Sequence, residues 1–436
     1  MILDAYLQDP GTDALISDAA LAAAMLEVEV ALARVQARAG IIPAHVGAGI
    51  EAAAAGLVVD LPALIQGTVH DGVPVIALLA QLRAAVGGDY GSYAHWGATS
   101  QDIVDTAMVL MLRRVTALFS ARLDELMGTW AALAGQHRGT VMAARTRSQQ
   151  AVPITFGLKV AGWIAPLLRH RQRLAALSAT SFVLQFGGAG GTLAALGGQG
   201  HAVAQDLAAE LELTLPPLPW HTQRDGIIDF ANWLAMLSGS LGKAAGDVLL
   251  LAQTEIGELQ ISGAGGSSAM PQKANPVLAE ALVALARHNA GLIGNLHQAA
   301  PHLAERDGAA WTLEWLTLPQ MVRTTGASLQ HSLHMAAHLQ VNNARMGDNV
   351  AAANGLLLAE AAVYALAEHM PKATAQGLVK DACLDAAAGQ DIFTILAQRT
   401  EAPIDWLALR DPANYLGATG QFIDAVLGAV PPKATG

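Results

Sequence analysis

A single cysteine, Cys383, excludes a disulfide within this chain of 436 residues and suits a reducing compartment. No group of Cys and His has the spacing of a zinc site, so no metal is expected. Charged residues make up only 14% and aromatics 5%, against 53% hydrophobic, and acidic residues outnumber basic ones to leave a net charge of -11. That balance argues against non-specific nucleic-acid binding, and a polyanionic ligand would need a locally positive pocket. So apolar a composition raises the question of a membrane span. The longest stretch without Asp, Glu, Lys or Arg, residues 174–205, is interrupted by Ser, Gln, His and many glycines and makes a poor spanning helix. Near the start, Asp4, Gln8 and Asp9 stand where a secretory signal would have a basic and then an apolar segment, so the expected location is the cytoplasm, with no membrane partner. The apolar surplus fits helix faces buried between subunits as well as within one.

What is present is mostly helix signal. Ser17 and Asp18 can cap a helix in which Leu21, Met25, Val28, Leu32 and Val35 recur at four- and three-residue steps, with Gly40 as its stop before Pro43. From residue 102 to about 130 the stepping returns in Val104, Met108, Met111, Val115 and Leu118, leaving Arg113, Arg114 and Arg122 to another face. Further helices are expected over 153–178, 225–260, 276–299 and 316–339, and period-two patterns are scarce. The reading is an all-α protein in three parts: an N-terminal helical domain over 1–102, a central long-helix bundle over 103–349 and a short C-terminal helical domain over 350–436.

The chemistry concentrates in one polar segment, Gly266-Ser267-Ser268-Ala269-Met270-Pro271-Gln272-Lys273-Ala274-Asn275-Pro276. Gly265 and Gly266 let backbone N–H groups approach a ligand, two hydroxyls and Lys273 supply donors and charge, and Asn275-Pro276 reads as N-cap and first turn of a following helix. A second segment, His95-Trp96-Gly97-Ala98-Thr99-Ser100-Gln101-Asp102, places Thr99, Ser100 and Gln101 just before a helix, where they hold a carboxylate or, for Ser100, simply cap. His95 there is an acid/base candidate or a packed histidine. A third runs from Arg145-Thr146-Arg147-Ser148-Gln149 to Phe156-Gly157-Leu158-Lys159. Arg224, in Trp220-His221-Thr222-Gln223-Arg224-Asp225, contacts a ligand or forms a structural ion pair. The Gly187 to Gly200 region lacks the Gly-Lys-Ser/Thr of a phosphate loop and reads as structural. His331, His334 and His338 share helical spacing and read as a solvated or inter-helix face.

Together these three segments resemble the fumarase/aspartase superfamily over most of the chain. The resemblance implies the three-part helical fold, a homotetramer with active sites shared between subunits, no cofactor, and a small polycarboxylate substrate. It also implies that Ser267 or Ser268 carries the carbon-bound proton, Ser267 being preferred, and that Lys273 and Asn275 stabilise an aci-carboxylate, with Met270 beside them. Thr99, Ser100, Gln101, Thr146, Arg147 and Gln149 would bind substrate. Superfamily lyases carry a histidine as general acid where this chain has Arg147. An arginine stays charged and cannot donate a proton, but it can hold a carboxylate. An attacking oxygen that belongs to a carboxylate needs no proton donor, which implies the cycloisomerase branch, acting on 3-carboxy-cis,cis-muconate in protocatechuate catabolism. An adenylosuccinate-type lyase is the rival, although Glu305-Arg306-Asp307 leads into Gly308-Ala309-Ala310-Trp311 rather than a Ser/His-rich phosphate segment. A non-catalytic scaffold of the same fold is a third reading.

Overall fold

The computed structural model describes residues 2–263, 265–266, 270, 273–386 and 389–432. Helices dominate, as expected of an all-α protein, and the described strands form two small antiparallel pairs, Val141–Thr146 with Gln149–Thr155 and Leu259–Ile261 with Leu339–Val341. Contacts group the chain into two compact units. One comprises Met1–Ala121, His170–Gly239 and Leu285–Gln330, the other Arg122–Arg169, Ser240–Ala284 and His331–Gly436. The Ser100–Gln136 and Phe156–Thr180 helices each contribute to both.

In the first unit the Asp18–Arg38 helix begins where its signals place it. Ser17 Oγ accepts from the Ala20 N–H, Met25, Val28, Leu32 and Val35 are buried, and Gly40 follows at φ 71°. The Ser100–Gln136 helix departs from a one-sided pattern. Ile103, Val104, Ala107, Val109, Leu110, Met111 and Leu112 are all buried, so its first turns are enclosed on every side. Deeper in, Asn289 Nδ2 donates to Ser238 Oγ at 2.8 Å and to Thr325 Oγ1 at 2.9 Å, joining the Asp225–Leu251, Val277–Ala299 and Gly308–His338 helices through a polar core contact.

In the second unit Trp130, Phe156 and Trp163 pack together and are buried, and Trp163 Nε1 donates to Asp247 at 2.7 Å. Near the C-terminus, Leu358, Ala362, Leu366, Val379, Ala382, Phe393 and Leu396 form a separate apolar cluster.

Three expected boundaries move for local reasons. Residues 153–155 belong to a strand, and the helix starts at Phe156, where Thr155 Oγ1 accepts from the Leu158 N–H. The helix expected over 225–260 ends at Leu251, and Leu259–Ile261 is extended. The helix expected from residue 316 begins at Gly308, because Asp307 accepts from the Ala309 and Ala310 N–H groups and caps it there. Among the described residues, two helices, Asp225–Leu251 and Val277–Ala299, are long and apolar enough to cross a membrane by length and composition. Within the chain, 50% of the first and 28% of the second is buried over their most apolar windows.

Candidate active site

In the first unit the Thr99 segment is held from below by one carboxylate. Asp102, 1% exposed, accepts from the Thr99 N–H at 3.1 Å, closing half of a capping box at the start of the Ser100–Gln136 helix. It also accepts from Gln185 Nε2 at 2.9 Å and from the Gly187 and Gly188 N–H groups at 2.9 and 2.8 Å, and lies 3.2 Å from His221 Nε2. The glycines read as structural therefore serve this turn, not a phosphate. Thr99 and Ser100 at this turn are half-buried. Gln101 is fully buried and spent: Nε2 donates to Asp105 and to the His221 carbonyl, while Oε1 accepts from Arg306 Nε at 3.0 Å.

Arg224 lies in the same interior. Its guanidinium, 3% exposed, bonds Asp105 at 2.6 Å and Glu314 at 2.5 Å, and Trp220 lies 4.6 Å away under its face. Burial opposes this charge, but Asp105 and Glu314 outweigh it and push the guanidinium further up. Burial likewise opposes the Glu314 charge, and His302 and Arg224 overcome it to hold the carboxyl below its ordinary value. Of the two roles open to Arg224, the geometry realises the ion pair. Trp311 Nε1 completes the cluster on Asp105 at 2.9 Å.

His95 stands apart from Gln101 and Arg224. It adopts φ 71°, uncommon for a residue with a Cβ, and its Nδ1 meets Glu29 Oε1 at 2.7 Å. The Glu29 side chain is fully buried on the Asp18–Arg38 helix while the ring keeps 14% exposure. Sequence reasoning passed over Glu29, although a carboxylate among Met25, Val28 and Leu32 on an apolar stripe is a visible signal. Asp105 and Glu314 were missed the same way.

In the second unit the third motif forms a hairpin. Thr146 pairs with Gln149 across a two-residue turn in which Arg147 (φ 50°) and Ser148 (φ 65°) both take the left-handed conformation. Such turns favour Asn-Gly, so this tip holds strain, and Thr146, Arg147, Ser148 and Gln149 are all exposed there. Arg145 anchors the hairpin through a paired contact with Glu258, at 3.0 and 2.7 Å, which Asn349 also joins at 2.8 Å. Nearby, burial pushes the Lys159 ammonium below its ordinary value, against the opposing pull of Asp247.

The signature segment belongs to this unit too. Gly265 and Asn275 exchange backbone hydrogen bonds of 3.1 and 2.8 Å that pinch its base, and a Cβ on Gly265 would lie 2.6 Å from Val277 Cγ2. Asn275 is therefore not the N-cap expected of it: the Pro276 carbonyl accepts from the Glu280 N–H, and the helix begins at Val277. Lys273, exposed, donates its N–H to the Met270 carbonyl at 3.0 Å, and Met270 is 44% exposed. Ser267 and Ser268 lie outside the described residues. Lys273 and Asn275 line a cavity of about 700 Å³ with Gln253, Thr254, Gln340 and Asn342. This surface offers one cation and many amide donors to an anion.

Comparison with known proteins gives a consistent set of likenesses. Residues 6–291 match the model of a family described as Lyase. Over 389 residues, covering 86% of this chain and 85% of the relative, the sequence is 40% identical to 3-carboxy-cis,cis-muconate cycloisomerase of Pseudomonas aeruginosa. The corresponding protein of Bradyrhizobium diazoefficiens is 41% identical, with 86% of each chain covered. Among solved structures, the 3-carboxy-cis,cis-muconate lactonizing enzyme of Pseudomonas putida superposes with a TM-score of 0.91 at 37% identity, covering 98% of both chains.

Proposed function

Because this chain belongs to the lyase family of the fumarase/aspartase superfamily, we propose that it works as that superfamily's cycloisomerases do, closing 3-carboxy-cis,cis-muconate to a carboxymuconolactone. The reaction is an intramolecular addition. A substrate carboxylate oxygen forms a C–O bond to the neighbouring double bond, the π pair moves toward a second carboxylate as an aci-carboxylate, and the adjacent carbon takes one proton. No leaving group has to be protonated.

The observation that carries this reading is Arg147. At the position where superfamily lyases carry a general-acid histidine, the chain presents a permanently charged guanidinium on a strained, exposed hairpin tip. Such a group orients the attacking carboxylate without protonating it. Thr146 and Gln149 flank it as donors, and Thr99 and Ser100 bind a second carboxylate at the start of a helix. Ser267 delivers the proton to carbon, while Lys273, Asn275 and backbone N–H groups of the signature segment stabilise the aci-carboxylate. Gln101 and Arg224 serve from beneath, since their polar atoms are committed inside the protein.

We further read the protein as a cytoplasmic homotetramer whose sites draw on more than one subunit. The support is the Val277–Ala299 helix, apolar yet little buried within its own chain, and the exposure of Arg147 and Lys273. An active monomer in sedimentation would overturn this assembly.

The direct test is loss of ultraviolet absorbance from 3-carboxy-cis,cis-muconate, because lactone closure breaks the conjugated diene. Fast loss in the wild type, reduced about 10²- to 10⁴-fold in Ser267→Ala, is expected of a positioned proton carrier. No loss from folded wild-type protein, with turnover of adenylosuccinate instead, would move the chain to the lyase branch.

A further inference from the structure

We infer that Glu29 is the positioning residue of His95, setting which ring nitrogen faces the substrate; the inference builds on the reading above but is tested partly without it. The pair is two residues brought together from 66 positions apart, with Nδ1 and Oε1 separated by 2.7 Å. A carboxylate accepts, so Nδ1 carries the proton, and in the neutral imidazole Nε2 then keeps its lone pair. Glu29 is wholly buried, and its other oxygen, Oε2, meets no hydrogen-bond partner among the described residues. The imidazole is thus the group that compensates this enclosed carboxyl.

The backbone holds the ring in place as well. His95 takes its left-handed conformation next to Trp96, whose carbonyl accepts from Gln36 Nε2 at 2.7 Å, and Arg83 donates to the Ala94 carbonyl at 3.1 Å. Gln36 lies seven residues, about two turns, further along the same face of the Asp18–Arg38 helix as Glu29, so that helix grips both the ring and the main chain beside it. The His95 side chain keeps 14% exposure, four residues before Thr99 on the segment assigned to carboxylate binding. Nε2 there accepts a proton or, as the imidazolium, donates one to the substrate.

The test uses the full-length protein and the variants Glu29→Gln, His95→Gln and the double variant. In muconate turnover, Glu29→Gln is expected to lower kcat about 10- to 100-fold with KM changed less than about 3-fold, and to cost less than about 2-fold further when His95 is already Gln. In parallel, carbethoxylation of His95 by diethyl pyrocarbonate, followed by peptide mass spectrometry, requires the free Nε2 lone pair and should slow several-fold in Glu29→Gln. Equal labelling in wild type and Glu29→Gln, or an undiminished cost of Glu29→Gln beside His95→Gln, overturns the assignment. Labelling that depends on Glu29 in a protein that turns over no muconate would uphold the pairing while removing the proposed substrate. If Glu29→Gln does not fold, Glu29→Asp, one methylene shorter with the charge kept, must show the same two effects in smaller measure.

Discussion

Around Asp102 and Asp105 the charges compensate one another inside the protein. Arg224, 3% exposed, lies between Asp105 and Glu314, and Asp102 gathers N–H groups from Thr99, Gly187 and Gly188. At the tip of the Val141–Thr146 and Gln149–Thr155 hairpin the arrangement is reversed, with Thr146, Arg147, Ser148 and Gln149 exposed and two residues held at positive φ. Both regions come from motif segments rich in polar residues. Buried charge with partners makes a frame, since removing one partner strands the others; exposed charge on a strained turn is available to a ligand. A motif residue's type therefore does not tell its job, and its surroundings do.

The sharpest challenge to this contrast is Arg224→Met, which leaves Asp105 and Glu314 facing each other in the interior. A loss of about 3–5 kcal/mol in denaturant unfolding is expected, and an unchanged midpoint would show that the cluster does not support the frame. Its pH dependence has a definite sign. Because His302 and Arg224 hold Glu314 below its ordinary value of 4.5, its contribution is present above that pH and fades as pH falls below it. Acid unfolding of Arg224→Met should show a correspondingly shallower fall.

At the exposed end, Arg147→Ala should leave the unfolding free energy within about 0.5 kcal/mol while lowering kcat/KM for 3-carboxy-cis,cis-muconate by about 10²-fold, the usual scale for one charge-stabilising donor. A large stability loss with little kinetic effect would place Arg147 with the frame. Gly265→Ala tests the pinch below the signature segment. With Val277 Cγ2 only 2.6 Å from the new methyl, the Gly265–Asn275 pair must shift, and a kcat reduced about 10-fold with the unfolding free energy lowered by about 1–3 kcal/mol is expected. The smallest effect concerns Ser148→Gly. Relief of one left-handed residue should stabilise the protein by up to about 1 kcal/mol with kcat retained, measured by thermal unfolding and turnover; destabilisation would mean that the turn is not strained.

How much was legible beforehand differs between the regions. The Asp18–Arg38 helix was readable from Ser17 to Gly40, because its cap, its apolar stripe and its stop are all local signals. The hairpin at Arg147 was not, since its turn lacks the Asn-Gly or Gly that announces a two-residue connection, and the end of its second strand was read as the start of a helix. Glu29 stood in plain view as a carboxylate on an apolar face, but its partner 66 positions away did not. Asn275 misled as a cap because the Gly265 pairing that claims its backbone comes from ten residues earlier.

The sequence by itself determined the helical class, the superfamily and the polar segments that carry the chemistry, because periodicity, caps and motif residues act over a few neighbours. Only the tertiary structure decided that Gln101 and Arg224 turn inward, that Asp102 supports the Thr99 turn and that His95 rests on Glu29. Arg224 meets partners 119 and 90 positions away, and His95 meets one 66 away. At such separations a side chain's partner is fixed by how helices pack, and the cost of leaving a buried charge unpaired then selects the one arrangement that satisfies it.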